Sequence, residues 1–502
     1  MSLINDLRDF IAACERHGLL HRIDARVDWY LELSHIATLN EDAGGPALLF
    51  EHVRDSDLPV LSSAFTTSQR MAVCLEEDPE TTICELARKW KTRLADGAGI
   101  APRVVKEAPV LRNAAVGAKV DLLKFPSPHF YPNDGGRYLG TAHYLVCMDP
   151  DSGWINLGTY RMQLQGRNAV TVMIARGKDA EIIYRKYQAR GEKMPVAVVI
   201  GCDPLHFLVS STHVGSGVSE YDIIGALRGR PVEVFESDLT GLKLPASAEV
   251  ILEGHLDLDD LRQEGPLGEF TGYYSSAKGA DGVGMEPTIT IERVLHRDDP
   301  IFWVSTIGKP VNDCHMIQAI NRSAMLWHEL ETRRIPGISG VYVLPESCGW
   351  FWAVVSIKQM YPGHSNQVGL TAIAHYGLKG VILVDDDIPA DDLGRVWWAL
   401  SVRFEPKRSI QVIDRGRASA LDPSLDSSNR YIMSKVILDA CIPFEWETKP
   451  REVTLDPAML HRVAQRWSEL GLPRTSRIDR LLDSDDACDA RPERSRATRS
   501  TA

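Results

Sequence analysis

The chain has 502 residues, 44% of them hydrophobic and 25% charged, with a formal net charge of −12. That length carries two to four domains at about 150 residues each, and the acidic balance excludes a general binder of nucleic acid or anionic membranes, which would present a basic surface. No apolar run approaches the ~20 residues that cross a bilayer, the start MSLINDLRDF has no signal-peptide core, and nine scattered cysteines without a CxxC predict reduced thiols in a cytoplasmic, multidomain protein.

Taken in order, Ser2 is placed to cap a helix whose apolar residues Leu3, Leu7, Phe10, Ile11 and Cys14 recur at helical spacing, with Gly18 as its stop. Strands are predicted over Leu48–Val53 and Leu58–Ser62 and a helix over Thr81–Leu94, which makes a small α/β unit without concentrated chemistry. The run 121–142, rich in Pro, Gly and aromatics, marks a long structured loop into a second domain. Short strands follow at His143–Met148, Trp154–Gln163, Ala169–Ile174, Val196–Ile200, Glu249–Leu256, Thr288–Leu295 and Ile301–Ser305, a pattern of a barrel or sandwich. Helices are predicted around Ala180–Arg190, Tyr221–Arg228 and Gln318–Arg333.

Beyond residue 320, strands at Gly340–Leu344, Trp352–Ile357 and Gly380–Val384 alternate with helices at Gln367–Tyr376 and Asp391–Arg403, the signal for a Rossmann-like parallel sheet. Asp385-Asp386-Asp387 invites a metal, but acidic residues that end a strand and cap the next helix explain it more simply. A helix over Pro457–Leu470 carries Leu460, Val463 and Trp467 on one face, and the polar tail 483–502 is expected to be disordered.

Chemistry concentrates in the middle. Glu264-Gly265-Pro266-Leu267-Gly268-Glu269-Phe270-Thr271-Gly272 sets two carboxylates five residues apart in a segment whose glycines and proline rule out a helix and favour a fixed, tight loop, with Tyr273 and Tyr274 opening a strand. Such a pair is an acidic surface turn or, if positioned and tuned, an acid–base couple. Asn156 and Arg161 share one predicted strand; five apart, they fall on opposite faces unless Gly158 hosts a bulge. Ser210, Ser211 and Thr212 end a predicted strand in hydroxyls that could hold a phosphate. Glu220 opens a helix behind the cap Ser219, where a carboxylate is favoured by the helix dipole whatever else it does.

In chain order, NLGTYR at 156–161, SSTH at 210–213, VSEYDIIGALRG at 218–229, LPASAEVILEG at 244–254, EGPLGEFTGYY at 264–274 and VILVDDDI at 381–388 closely resemble the UbiD-type decarboxylases, which use prenylated FMN. The resemblance runs from about residue 5 to 445. It implies a mixed α+β and α/β fold: an N-terminal α/β domain (1–115), a central split β-barrel that binds the flavin (116–318) and a C-terminal Rossmann-like α/β domain used for oligomerisation (319–482). It also implies a prenylated FMN supplied by a separate flavin prenyltransferase, a divalent Mn²⁺ (or Mg²⁺) bridging the phosphate, K⁺ nearby, and a homodimer or homohexamer.

By the same resemblance Arg161, Glu264 and Glu269 form the catalytic network. Arg161 holds Glu264 ionised or binds the substrate carboxylate, and Glu269, raised in pKa by burial, protonates the product carbon. Thr159, Tyr160, Arg161, Met173, Ile174, Ala175, Lys178, Asp179, Ser210, Ser211 and Thr212 match cofactor-contacting positions, and the loop glycines would let backbone pass close to the cofactor. Asn156 and Glu220 match metal ligands, with Asp179 where many family members carry a further His ligand. Ile373 occupies a position at which the family brings a basic residue to the phosphate, leaving His375 and Lys379 as the nearest bases. Phe270 and His315 are expected to wall the substrate pocket. The implied activity is non-oxidative, reversible decarboxylation of an aromatic or heteroaromatic acid through a covalent adduct with the prenylated FMN. The alternatives are an α,β-unsaturated aliphatic acid, a flavin-binding redox enzyme, or a subunit of a carboxylase complex.

Overall fold

The computed structural model describes residues 3–96, 99–212, 214–215, 217–274, 282–426 and 430–483. Ser2, His213 and most of the 483–502 tail lie outside the described residues. One compact unit runs to Phe444 and a second begins at Glu445. The first helix spans Leu7–Arg16 and is capped by Asp6, whose carboxylate accepts the Asp9 N–H, so its start lies one turn beyond the expected Ser2.

The N-terminal sheet has four strands in the order Leu20–Val27, Ala47–Val53, Val60–Ser62 and Phe302–Trp303. The last was expected in the barrel. It pairs instead in parallel with Val60–Ser62, because both its side chains are wanted in the N-terminal core. Trp303 packs edge-on against Phe65 and Phe207 at centroid distances of 5.4 and 5.3 Å, and Phe302 lies 5.7 Å from Phe125.

The central sheet has nine strands, all antiparallel where they pair. Its order is Tyr138–Gly140, Met162–Leu164, Ala169–Val172, Gly284–His296, Val250–Glu264, Met194–Ile200, His143–Met148 and Ile155–Gly158, with Asn113–Val116 added beside Gly284–His296. The predicted strand Trp154–Gln163 is therefore two strands, and they sit toward opposite ends of this order. Six strand spacings in a flat sheet span roughly 29 Å. The link Thr159-Tyr160-Arg161 reaches at most about 14 Å. The sheet must curl into a half-barrel for the chain to make that step, and no bulge at Gly158 is needed to turn Arg161 inward.

The two longest strands, Val250–Glu264 and Gly284–His296, outrun their predicted lengths and pair to Glu264↔Gly284, which carries Glu264 to the barrel rim. The hydroxyl run Ser210-Ser211-Thr212 closes a helix, Pro204–Ser210, rather than a strand. Asp203 caps it through the Leu205 N–H, with Pro204 at its first position. The long helix Asp313–Thr332 begins a turn earlier than predicted because Asn312 and His315 form a reciprocal capping box.

In the C-terminal sheet, Trp352–Ile357, Gly380–Asp385 and Ile432–Asp439 run parallel, flanked by antiparallel edge strands Ile338–Val343 and Ile410–Arg417. Asp385 and Asp387 pair with Arg403, so the Asp triplet ends its strand as a charge-paired turn. In the second unit, a helix over Pro457–Gln465 is capped by Asp456 and a further helix spans Ser476–Asp483. Among the described residues no helix is long and apolar enough to cross a membrane.

Trp303 is 2% exposed and stitches the N-terminal sheet to the barrel. Trp303→Ala is expected to destabilise the first unit by about 3 kcal/mol, toward the lower end for a large aromatic because the indole N–H has no partner to lose among the described residues. A urea midpoint within error of the parent chain would contradict this packing role.

Candidate active site

Arg161 leaves the three-residue link with its side chain turned into the barrel mouth. Its Nε donates to Glu264 Oε1 and its Nη2 to Glu264 Oε2, both at 2.9 Å, a bidentate pair. Its Nη1 donates to Glu269. All three side chains are largely buried, Glu264 being 1% and Glu269 7% exposed. Burial raises the Glu269 pKa, the nearby Glu264 charge adds to the rise, and Arg161 opposes it. Among the described residues three of the five guanidinium N–H groups are used, which leaves two for an incoming carboxylate.

The Glu264–Tyr274 segment is held on every side. Gln163 Oε1 accepts the Gly265 N–H, the Pro266 carbonyl accepts the Gly135 N–H, and Asp134 Oδ1 accepts the Gly268 N–H. Gly272 N–H turns back onto the Glu269 carbonyl. Tyr274 makes an isolated bridge to Gly268 rather than opening a strand. Gly265 has φ +86°, and a Cβ there would collide with the Gly282 carbonyl, while one at Gly268 would press on the Tyr131 ring. At Gly265 and Gly268 the missing Cβ thus admits the protein's own backbone and the Tyr131 ring.

Arg161 and Glu269 line a cavity of about 350 Å³, within the roughly 300–1,000 Å³ of ligand sites. Thr159 Oγ1 lies 3.0 Å from Ser210 Oγ and 3.2 Å from Ser211 Oγ, a cluster of hydroxyls on one wall. The buried His143 ring lines the same cavity. Its Nε2 donates to the Tyr160 carbonyl at 2.8 Å, which leaves Nδ1 an acceptor without a partner among the described residues.

Residues 103–310 match the 3-octaprenyl-4-hydroxybenzoate carboxy-lyase Rift-related domain, residues 315–440 the C-terminal domain of that carboxy-lyase and residues 11–90 its N-terminal domain. The chain belongs to the UbiD family. Its fold is similar to the UbiD-class enzyme HmfF from Pelotomaculum thermopropionicum in complex with FMN, at 27% identity over 90% of this chain and 98% of that one, with a TM-score of 0.81. An evolved dimeric form of the same enzyme in complex with prFMN matches at 26% identity over 90% and 99% of the two chains, TM-score 0.77. The vanillic acid decarboxylase of Sedimentibacter hydroxybenzoicus in open form matches at 28% identity over 94% and 99%, TM-score 0.83.

In this UbiD-family chain Thr159, Tyr160, Met173, Ala175, Lys178, Ser210, Ser211 and Thr212 all line the cavity, and Ile174 does not. Asn156, Asp179 and Glu220 line it as well. Glu220 opens the helix Glu220–Arg228 and accepts Asn156 Nδ2 at 3.0 Å and the Leu157 N–H at 2.8 Å. Its pKa is pushed up to about 8 by burial, with the Asp179 charge adding to it. Two carboxylates and an amide oxygen are hard donors that suit Mn²⁺ or Mg²⁺. Among the described residues no group of three His, Cys, Asp or Glu side chains forms such a cluster. His375 is turned to Glu329 and Lys379 to Asp422, so neither base faces the cavity.

Phe270 lines the cavity but His315 does not. The His315 ring accepts the Asn312 N–H on Nδ1 and hydrogen-bonds the Phe270 carbonyl through Nε2 at 2.6 Å, so it holds the loop from behind. The helix it caps presents Cys314, Ile317 and Gln318 to the cavity instead. Sequence reasoning also missed Asp134, Gln163 and Tyr138. Tyr138 sits in the stretch read as loop, and its alternation with Gly140 was the available signal.

Arg161→Met strands two buried carboxyls without their cation and is expected to cost about 3–5 kcal/mol at neutral pH. Acidification neutralises those carboxyls, so the loss should shrink as pH falls. Urea unfolding at pH 5 and pH 8 measures it, and an equal loss at both would contradict the charge argument.

Proposed function

We propose that this UbiD-family chain catalyses the non-oxidative, reversible decarboxylation of an aromatic or heteroaromatic carboxylic acid with prenylated FMN as cofactor. The observation that carries the proposal is the division of labour between two carboxyls on one arginine. Glu264 is gripped bidentately while Glu269 keeps a raised pKa at the cavity wall. The FMN and prFMN complexes of the UbiD-class relative support the cofactor, and the vanillic acid decarboxylase supports the class of acid. Leu267, Phe270, Ile307 and Ile317 supply an apolar wall suited to a planar ring.

When bound, the cofactor supplies an electron sink for the electrons left by departing CO₂. The chain's own residues do the rest. The free N–H groups of Arg161 orient the substrate carboxylate. The protonated Glu269 then delivers its proton to the carbon that carried the carboxylate. The Thr159, Ser210 and Ser211 hydroxyls and His143 Nδ1 are the groups that would hold the flavin. Asn156, Glu220 and Asp179 would hold Mn²⁺ or Mg²⁺ beside its phosphate, with K⁺ nearby.

A flavin prenyltransferase would supply the cofactor in the cytoplasm. Self-association is supported by exposed apolar side chains in the C-terminal part of the first unit: Trp397 at 67% on its helix, and Ile410 and Val412 on an edge strand.

Coexpression with a flavin prenyltransferase, followed by a screen of acids for CO₂ release and for H/D exchange at the product carbon, tests the proposal. Loaded protein that turns over nothing in a broad panel would overturn it, and nicotinamide-dependent turnover with unmodified FMN would replace it with a redox enzyme. Glu269→Gln should retain flavin and lose about 10²–10⁴-fold in rate, as expected for a lost general acid. Because the pKa of Glu269 is raised and its protonated form is the donor, activity should fall as pH rises through that value.

A further inference from the structure

Glu264 and Glu269 share one arginine, and a donor is needed on one of them only. The asymmetry between them is visible on the side away from Arg161. Tyr138 is 0% exposed, and its hydroxyl lies 3.0 Å from Glu264 Oε1, the same oxygen that accepts Arg161 Nε. Its next neighbour, the Pro266 carbonyl, is farther at 3.4 Å. Among the described residues Glu264 thus accepts two N–H groups and one O–H, whereas Glu269 accepts Arg161 Nη1 and the Phe270 backbone N–H and has no hydroxyl on it. Burial and the Glu264 charge push the Tyr138 hydroxyl far above its ordinary pKa, so it remains a donor throughout the working range.

The other titratable groups facing the network do not compete for this role. Asp134 is occupied by the Gly268 and Tyr131 N–H groups, with the Tyr274 hydroxyl also on it. Burial keeps the Cys314 thiol, beside Glu269, protonated up to about 12. Burial also holds His315 neutral down to about 4 while it bonds the Phe270 carbonyl.

We propose that Tyr138 is a positioning residue that fixes the negative charge on Glu264, and so leaves the network's proton on Glu269. A hydrogen bond to a carboxylate favours the charged form of the group that accepts it. Without that bond the proton distributes over both carboxyls, and the share held at the donor position falls. This inference rests on the decarboxylase function proposed above for its kinetic consequence, but not for the electrostatic one.

Tyr138→Phe keeps the ring in its pocket and removes only the hydroxyl. In the flavin-loaded enzyme the plateau should fall and both limbs of the pH–rate profile should move up, the acid limb because Glu264 takes a proton sooner and the alkaline limb because the shared proton is lost later, the two shifts together making about one to two pH units. A lower plateau with both limbs in place would mean that Tyr138 only packs, and would overturn the proposal. The second measurement uses apo-protein. Isotope-edited infrared titration of Glu269→Gln and of Tyr138→Phe/Glu269→Gln, each referenced to its Glu264→Gln counterpart, follows protonation of the Glu264 carboxyl directly. The midpoint should rise by the same one to two units when the hydroxyl is removed, and an unchanged midpoint would overturn the proposal. If the wild-type enzyme decarboxylates no acid, the functional proposal fails while the infrared comparison still decides the role of Tyr138.

Discussion

A guanidinium buried between two carboxylates is the constraint on which the rest of the structure depends. Desolvating three charged groups is costly unless each is met by good geometry and further hydrogen bonds. Arg161 meets Glu264 with a planar fork and Glu269 with a remaining N–H, yet the trio still carries one excess negative charge if both carboxyls ionise. Burial and the second carboxylate both push Glu269 toward its protonated form, against the pull of Arg161.

Placing Arg161 there sets the shape of the barrel. The residues before it belong to one end of the sheet and the residues after it to the other. The curl that lets three residues bridge those ends also makes the cavity. Placing the carboxylates sets the loop. Contacts to Gln163, to the adjacent Asp134 and Gly135, and to His315 come from three separate points in the chain, and they fix the loop backbone. Such fixation is what lets an acid act without reorganisation at the moment of reaction.

Much of this was legible in the sequence, for identifiable reasons. The Gly/Pro density of 264–272 excluded a helix, and the strands with strong apolar alternation, His143–Met148 and Trp352–Ile357, were placed with their observed bounds. What was not legible depended on contacts far apart in sequence. Trp154–Gln163 has uninterrupted strand composition, and only the strand order of the closed-up sheet reveals that it breaks. Phe302–Trp303 looks like any buried strand, and its partner, Val60–Ser62, is about 240 residues away. The helix that ends in Ser210 was hidden because Leu208-Val209 favours strands, although Asp203-Pro204 is a helix start. The sequence around His315 does not say whether its ring faces the pocket or the back of the loop. Its capping bond to Asn312 depends on a helix start that was placed a turn too late.

The two groups of carboxyls in the site are offset by different means. Glu264 and Glu269 share a built-in counter-charge, Arg161. Glu220 accepts an amide N–H and a backbone N–H, both neutral donors, and burial with Asp179 nearby drives its carboxyl toward the protonated form. A protein that needed only a stable core there would place an apolar residue, since a buried carboxyl without a cation costs more than it returns. Retaining carboxyls there makes sense where further positive charge arrives with the ligand. In the proposed function that charge is the divalent ion, and the phosphate it accompanies is the acceptor to which the neutral Thr159, Ser210 and Ser211 hydroxyls would donate without adding further charge.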